Sequence, residues 1–186
     1  KGIAGYARFR PPLAKAGLVP LLMDTLREGA EDPQVQALAA EVLRMFVETD
    51  SNDRQVAIDG GAPEIAFKAL RKHAGGLINT RSEWDTQNVY GSLNDAQYNV
   101  PGAATELLVS LASHGPETQK KLLEDGIIKV LSDAIMATKD RNFEVAGRTR
   151  HGACATLNIL KAVANKENND LDVAFNENRC EEYKGE

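Results

Sequence analysis

Three stretches of this chain carry the same apolar pattern at a fixed distance from a glycine, and the spacing between them restricts the fold more than any other feature. They are AKAGLVPLLMDTL (residues 14–26), AIDGGAPEIAFKAL (57–70) and LLEDGIIKVLSDAI (122–135). Aligned on Gly17, Gly61 and Gly126, they place Leu21, Ile65 and Val130 four positions after the glycine, and Leu26, Leu70 and Ile135 nine positions after it. Those spacings fall on one face of a helix. A second kind of segment follows each stretch, with a small residue leading an i, i+4, i+7 face: Ala39, Leu43, Phe46, then Ala104, Leu108, Leu111, then Ala153, Leu157, Leu160. Phe46 and Leu111 each stand 15 residues before the glycine of the next unit.

Gly17 and Gly61 are 44 residues apart, inside the ~40–47 residue period of two- and three-helix repeats. The glycine-to-alanine distance is 22 residues in the first unit, 43 in the second and 27 in the third, so the later units carry insertions of 21 and 5. Each unit reads as a short helix, a glycine bend, a second helix, a loop and a third helix. Short apolar helices are predicted over 54–59 and 119–125. Gly61 and Gly126 end them in the left-handed conformation that glycine adopts at least cost. Asp32 before Pro33 predicts a capped start for the first unit's third helix. No unit can bury its apolar face alone, so neighbours must stack to form a core.

These segments resemble armadillo repeats, whose second helix follows an AGAIPxLVxLL pattern and whose third follows VQxxAAWALxNL. KAGLVPLLMDTL and VQALAAEVLRMF are close to those patterns, while DGGAPEIAFKAL, EDGIIKVLSDAI, AATELLVSL and GACATLNIL match them in part. The likeness runs from about residue 13 to 164. It implies an all-α fold, a right-handed α-α superhelix of about three repeats, with third helices lining a concave groove that binds a partner protein or extended peptide. In importin-alpha-like members, Trp and Asn ladders on the third helix hold the peptide. Here the Trp position is filled by Glu41, Glu106 and Ala155, and the Asn position by Met45, Ser110 and Ile159. Both ladders are missing, which argues against nuclear-signal binding by that route. The groove residues that remain are Glu41, Arg44, Glu48, Glu106, Ser110, His151 and Asn158.

The chain therefore divides into a repeat segment over 1–165, with an inserted loop around 74–99, and an acidic tail or cap over 166–186. The insertion is rich in Gly, Asn, Ser, Asp and Thr, as loops are. It holds the only tryptophan, Trp84, and two of the four tyrosines, Tyr90 and Tyr98. Exposed aromatics of this kind anchor partners; folded back, they would instead cover the helices beneath. Seven acids against three bases occupy the tail. Phe175 stands where a fourth unit would need its glycine, so the array stops or changes there. Leu171, Val173 and Phe175 are candidates for a terminal cap. YARFRPP at 6–12 reads as the approach to the first unit, with further repeats upstream compatible with it. Arg141, Arg148, Arg150 and His151 make a basic stretch at the start of the last helix, read as a solvated helix face or a contact for an acidic partner.

Charge and composition narrow the function. Acids outnumber bases 27 to 22 for a net charge of -5, against the basic surface that nucleic acid and anionic lipid require. No apolar run approaches the roughly 20 residues of a membrane span, and no signal peptide opens the chain. Cys154 and Cys180 are too few for a disulfide framework and lack a CxxC partner. They read as reduced thiols, which places the chain in the cytoplasm or nucleus. The histidines His73, His114 and His151 fit no metal-ligand spacing, and GxxxxGK, GxGxxG and GxSxG are absent. His114, in SHGPE, reads as a turn residue. No cofactor or metal is expected. The sequence thus points to a protein-interaction scaffold rather than an enzyme, with a structural subunit of a larger assembly as the alternative.

Overall fold

A computed structural model of the chain describes residues 7–28, 32–79, 94–138 and 144–161, together with Val163 and Cys180. Among them a short 3-10 turn (Ala7–Phe9) precedes nine α-helices and no strand occurs. The first unit comprises α1 (Arg10–Lys15), α2 (Leu18–Glu28) and α3 (Pro33–Thr49). The second holds α4 (Ser51–Asp59), α5 (Ala62–Asn79) and α6 (Asn94–Ala112), and the third α7 (Pro116–Glu124), α8 (Ile127–Thr138) and α9 (Glu144–Lys161). The fold is all-α, as the apolar periodicity predicts.

The bend between the first two helices of each unit is the same object three times. Gly17, Gly61 and Gly126 have φ of 84°, 84° and 81°. Each donates its N–H to the carbonyl three residues back, on Ala14, Ile58 and Leu123. A side chain at such a φ is strained, so the recurring glycine has a backbone cause. The starts of α4 and α7 lie earlier than the apolar pattern alone predicts. Asp50 caps α4 by accepting from Asn52 N at 2.7 Å and Asp53 N at 3.1 Å, and Pro116 opens α7. Asp32 caps α3 as expected, accepting from Gln34 N at 2.9 Å with Pro33 in the first turn.

Packing follows the matched faces. Ala39, Leu43, Phe46 and their counterparts on α6 and α9 are all buried, as are Leu26, Leu70 and Ile135. α6 lies against both α3 and α9, and α5 against both α2 and α8, while α2–α3, α5–α6 and α8–α9 pair within units. Small side chains set the approach of the third helices. A Cβ built on Gly152 of α9 would lie 2.6 Å from Thr105 Oγ1 and 3.0 Å from the Thr105 carbonyl carbon of α6. Successive units are also tied by a repeated hydrogen bond. Arg54 of α4 donates Nε to the Val47 carbonyl at the end of α3, and Gln119 of α7 donates Nε2 to the Ala112 carbonyl at the end of α6. Donor and acceptor are seven residues apart in both cases.

Three expectations need correction. The insertion is not a loop from 74 to 99: α5 continues to Asn79 and α6 begins at Asn94, so helix occupies both ends. The insertion lengthens the two helices that already pair. Cys154 and Cys180 are not free thiols but a disulfide, with both residues buried. Polar sequence around Cys180 concealed that its side chain is held against α9, and the cysteines no longer argue for a reducing compartment. Leu21, matched in pattern to the buried Ile65 and Val130, is 60% exposed.

Candidate functional site

The third helices bring five of the seven expected groove residues into one cluster, organised by a residue outside that set. Arg148 of α9 reaches α6 and α3 together. Its Nε and Nη2 donate to the two carboxylate oxygens of Glu106 at 2.8 and 2.9 Å, and Nη2 also donates to Glu41 Oε1 at 2.9 Å. The two parallel bonds to Glu106 use the planar fork of the guanidinium. Arg44 of α3 donates Nη1 to Glu48 Oε1 at 2.7 Å, one helical turn along. Its buried Nε makes no hydrogen bond but lies 3.5 Å from Glu106 Oε2. Ser110 of α6 closes the chain of contacts, its hydroxyl 2.9 Å from Glu48 Oε1 and 3.2 Å from the Glu106 carbonyl, the two acceptors open to its one proton.

These groups are half-buried, except Glu48, which is exposed. Partial burial pushes the Glu106 carboxyl up. The Arg148 hydrogen bond and charge, with Arg44 and His151 nearby, outweigh it and hold the group below the ordinary glutamate range. On Arg148 the hydrogen bond to Glu106 dominates and raises the guanidinium further above its usual value, against the opposing effect of burial. Of the two readings of the basic stretch, a solvated helix face or a contact for an acidic partner, neither describes Arg148, whose guanidinium reaches across to carboxylates of α6 and α3. Arg150 is half-buried and donates Nη1 to the Thr138 carbonyl at 2.9 Å. The signal for Arg148 lay in the third-helix register: Glu41 and Glu106 share a position, Ala155 breaks the series, and Arg148 precedes Ala155 by two helical turns.

His151 and Asn158 are exposed and lie outside the hydrogen-bonded cluster. His114 sits in the turn after α6, its N–H bonded to the Leu111 carbonyl and its Nε2 3.3 Å from Gln55 Oε1. Tyr98 lies in α6 rather than in a loop. Trp84, Tyr90, Arg141 and the cap candidates Leu171, Val173 and Phe175 fall outside the described residues.

A second polar set, missed in the sequence, joins α2, α3 and α5. Buried Gln36 donates its amide to the Leu26 carbonyl at 3.2 Å and accepts at Oε1 from His73 Nε2, 2.8 Å away. Burial, with Lys72 adjoining, lowers the His73 pKa and favours the neutral ring. Among the described residues no three His, Cys, Asp or Glu side chains are placed to hold a metal ion, and no helix is long and apolar enough to cross a membrane. No family model, curated protein or solved structure matches this chain.

Proposed function

We propose that the chain is a protein-interaction scaffold: an armadillo-like right-handed superhelix of about three units whose third helices line a groove for a partner protein or extended peptide. The left-handed glycine at one place in each unit and the order of contacts along α3, α6 and α9 support the architecture. The observation that carries the functional reading is the charged strip of Glu41, Arg44, Glu48, Glu106, Ser110 and Arg148, which draws on all three third helices and remains partly open to solvent.

Three carboxylates face two guanidiniums in that strip, so it keeps one uncompensated negative charge. A ligand carrying a basic side chain would complement it, taking Glu41 or Glu48 as its acceptor while Arg148 stays bound to Glu106. Electrostatic complementarity of this kind supplies register and association rate more than raw affinity. Glu41→Gln combined with Glu48→Lys, which removes both acceptors offered to the ligand, tests the reading in pull-down and titration experiments. The groove account expects at least a tenfold loss of the captured partner (about 1.4 kcal/mol) with helical content unchanged. Retention of every partner would overturn it.

The alternative, a subunit packed within a larger assembly, draws support from the exposed apolar side chains Leu21, Val35 and Leu38 on the first unit. Size measurement of the isolated chain separates the two. A dispersed monomer favours the scaffold, and aggregation relieved by a co-expressed partner favours the subunit.

A further inference from the structure

The two ends of the array differ, and the difference is specific. On α3, Val35, Leu38 and Val42 follow one another at helical spacing along a single stripe. Their counterparts in the repeat are Val100, Ala103 and Leu107 on α6, and Thr149, Gly152 and Thr156 on α9, and all six are buried. On α3 the same positions are open: Val35 is 44% exposed, Leu38 62% and Val42 half-buried. The second helices repeat the contrast. Leu21 is exposed and Leu18 and Leu22 are half-buried, whereas the corresponding residues of α5 (Ile65, Ala62, Ala66) and α8 (Val130, Ile127, Leu131) are buried.

What covers the stripe elsewhere is visible in the fold. Gly152 of α9 packs on Thr105 of α6, the third helix of the preceding unit. The α3 stripe is thus the next member of a series of interfaces already formed at α3–α6 and α6–α9. At the opposite end the equivalent position is already occupied. Cys154 occupies on α9 the position that Thr105 holds on α6, where a following third helix packs, and there it is bonded to the buried Cys180. A second copy stacked with its last unit on this stripe would meet that bonded cysteine where a third helix's small side chain should lie.

We infer that the face formed by α2 and α3 is an interface for a further helix pair of the same pattern, seated as α3 seats on α6, with small side chains toward Val35 and Leu38. The complementarity is of size and polarity: branched apolar side chains on α3 meet the alanine- and threonine-sized residues that third helices turn toward the following unit, as Thr105 does. This inference does not depend on the groove, which lies on other residues of the third helices.

The test is photo-crosslinking from position 38 in the protein as its own cells make it, with a benzoylphenylalanine in place of Leu38. Position 136 serves as control, because Met136 is exposed and its repeat counterparts Arg27 and Arg71 are exposed too. The expected result is an adduct from position 38, well above the control. Mass spectrometry should place it on a helix-forming segment outside residues 7–161 that carries small residues at i and i+4. An adduct joining position 38 to residues 35–42 of a second copy would identify a head-to-head dimer and overturn the inference. So would adducts no more abundant than the control, or capture of a segment without the helical pattern.

Discussion

Gly152 shows most directly how one residue sets a helix–helix distance. The space a methyl group would need is taken by Thr105 side chain and backbone together, so relief requires α9 to move away from α6. Gly152→Ala is expected to lower the unfolding free energy by about 1–3 kcal/mol, the usual cost of overpacking a filled interior, read as a shift in urea midpoint. Gly147→Ala is the control, since an added Cβ there meets nothing within 4 Å. His73 makes a pH-dependent contribution of known sign. Burial holds its folded pKa below the ordinary histidine value of about 6.5, so the folded protein binds fewer protons than the unfolded chain in that region. The contribution is complete above about pH 6.5 and is lost as pH falls toward the folded value. His73→Gln is expected to flatten the dependence of the urea midpoint between about pH 7.5 and 5.5; an unchanged slope would assign the titration elsewhere.

Among elements, the charged strip couples α3, α6 and α9. Arg148→Met removes a guanidinium that serves Glu106 and Glu41 together. A fully buried pair broken this way costs about 3–5 kcal/mol, but these groups keep solvent contact and the expected loss is about 1–2 kcal/mol. The loss should be measured at neutral pH, because Glu106 is held below its ordinary range. The stabilisation is present above the unfolded value of about 4.5 and disappears as pH falls through the folded one. The difference between Arg148→Met and wild type should therefore shrink in acid. Gln119→Leu leaves the Ala112 carbonyl without its side-chain donor and is expected to cost about 1–3 kcal/mol.

The elements were legible in the sequence where cause and signal are local. The glycine bend needs a left-handed residue, the Asp32 cap needs a carboxylate before proline, and the buried faces need helical periodicity. Less legible were contacts made across units. Arg148 and Gln119 find their partners through the stagger of neighbouring helices, which no single helix encodes. The Cys154–Cys180 bond spans 26 residues and joins a helix to a polar segment with no pattern of its own. The insertion misled because turn-forming residues such as Gly75, Gly76 and Asn94 fall within the bounds of α5 and α6.

For the molecule as a whole, stability rests on stacking between units with a covalent closure at one end. Cys154→Ser is expected to lower stability by about 2–4 kcal/mol through the freed chain, and wild type under reducing conditions should match it. The central claim is that α3, α6 and α9 lie side by side in order. Spin labels at positions 49, 114 and 163, equivalent in the three units, measure it by pairwise distances. Neighbouring helices pack about 8–10 Å apart, so the account expects the 49–163 distance to approach the sum of the 49–114 and 114–163 distances. Three nearly equal distances, as for helices gathered about one centre, would contradict it.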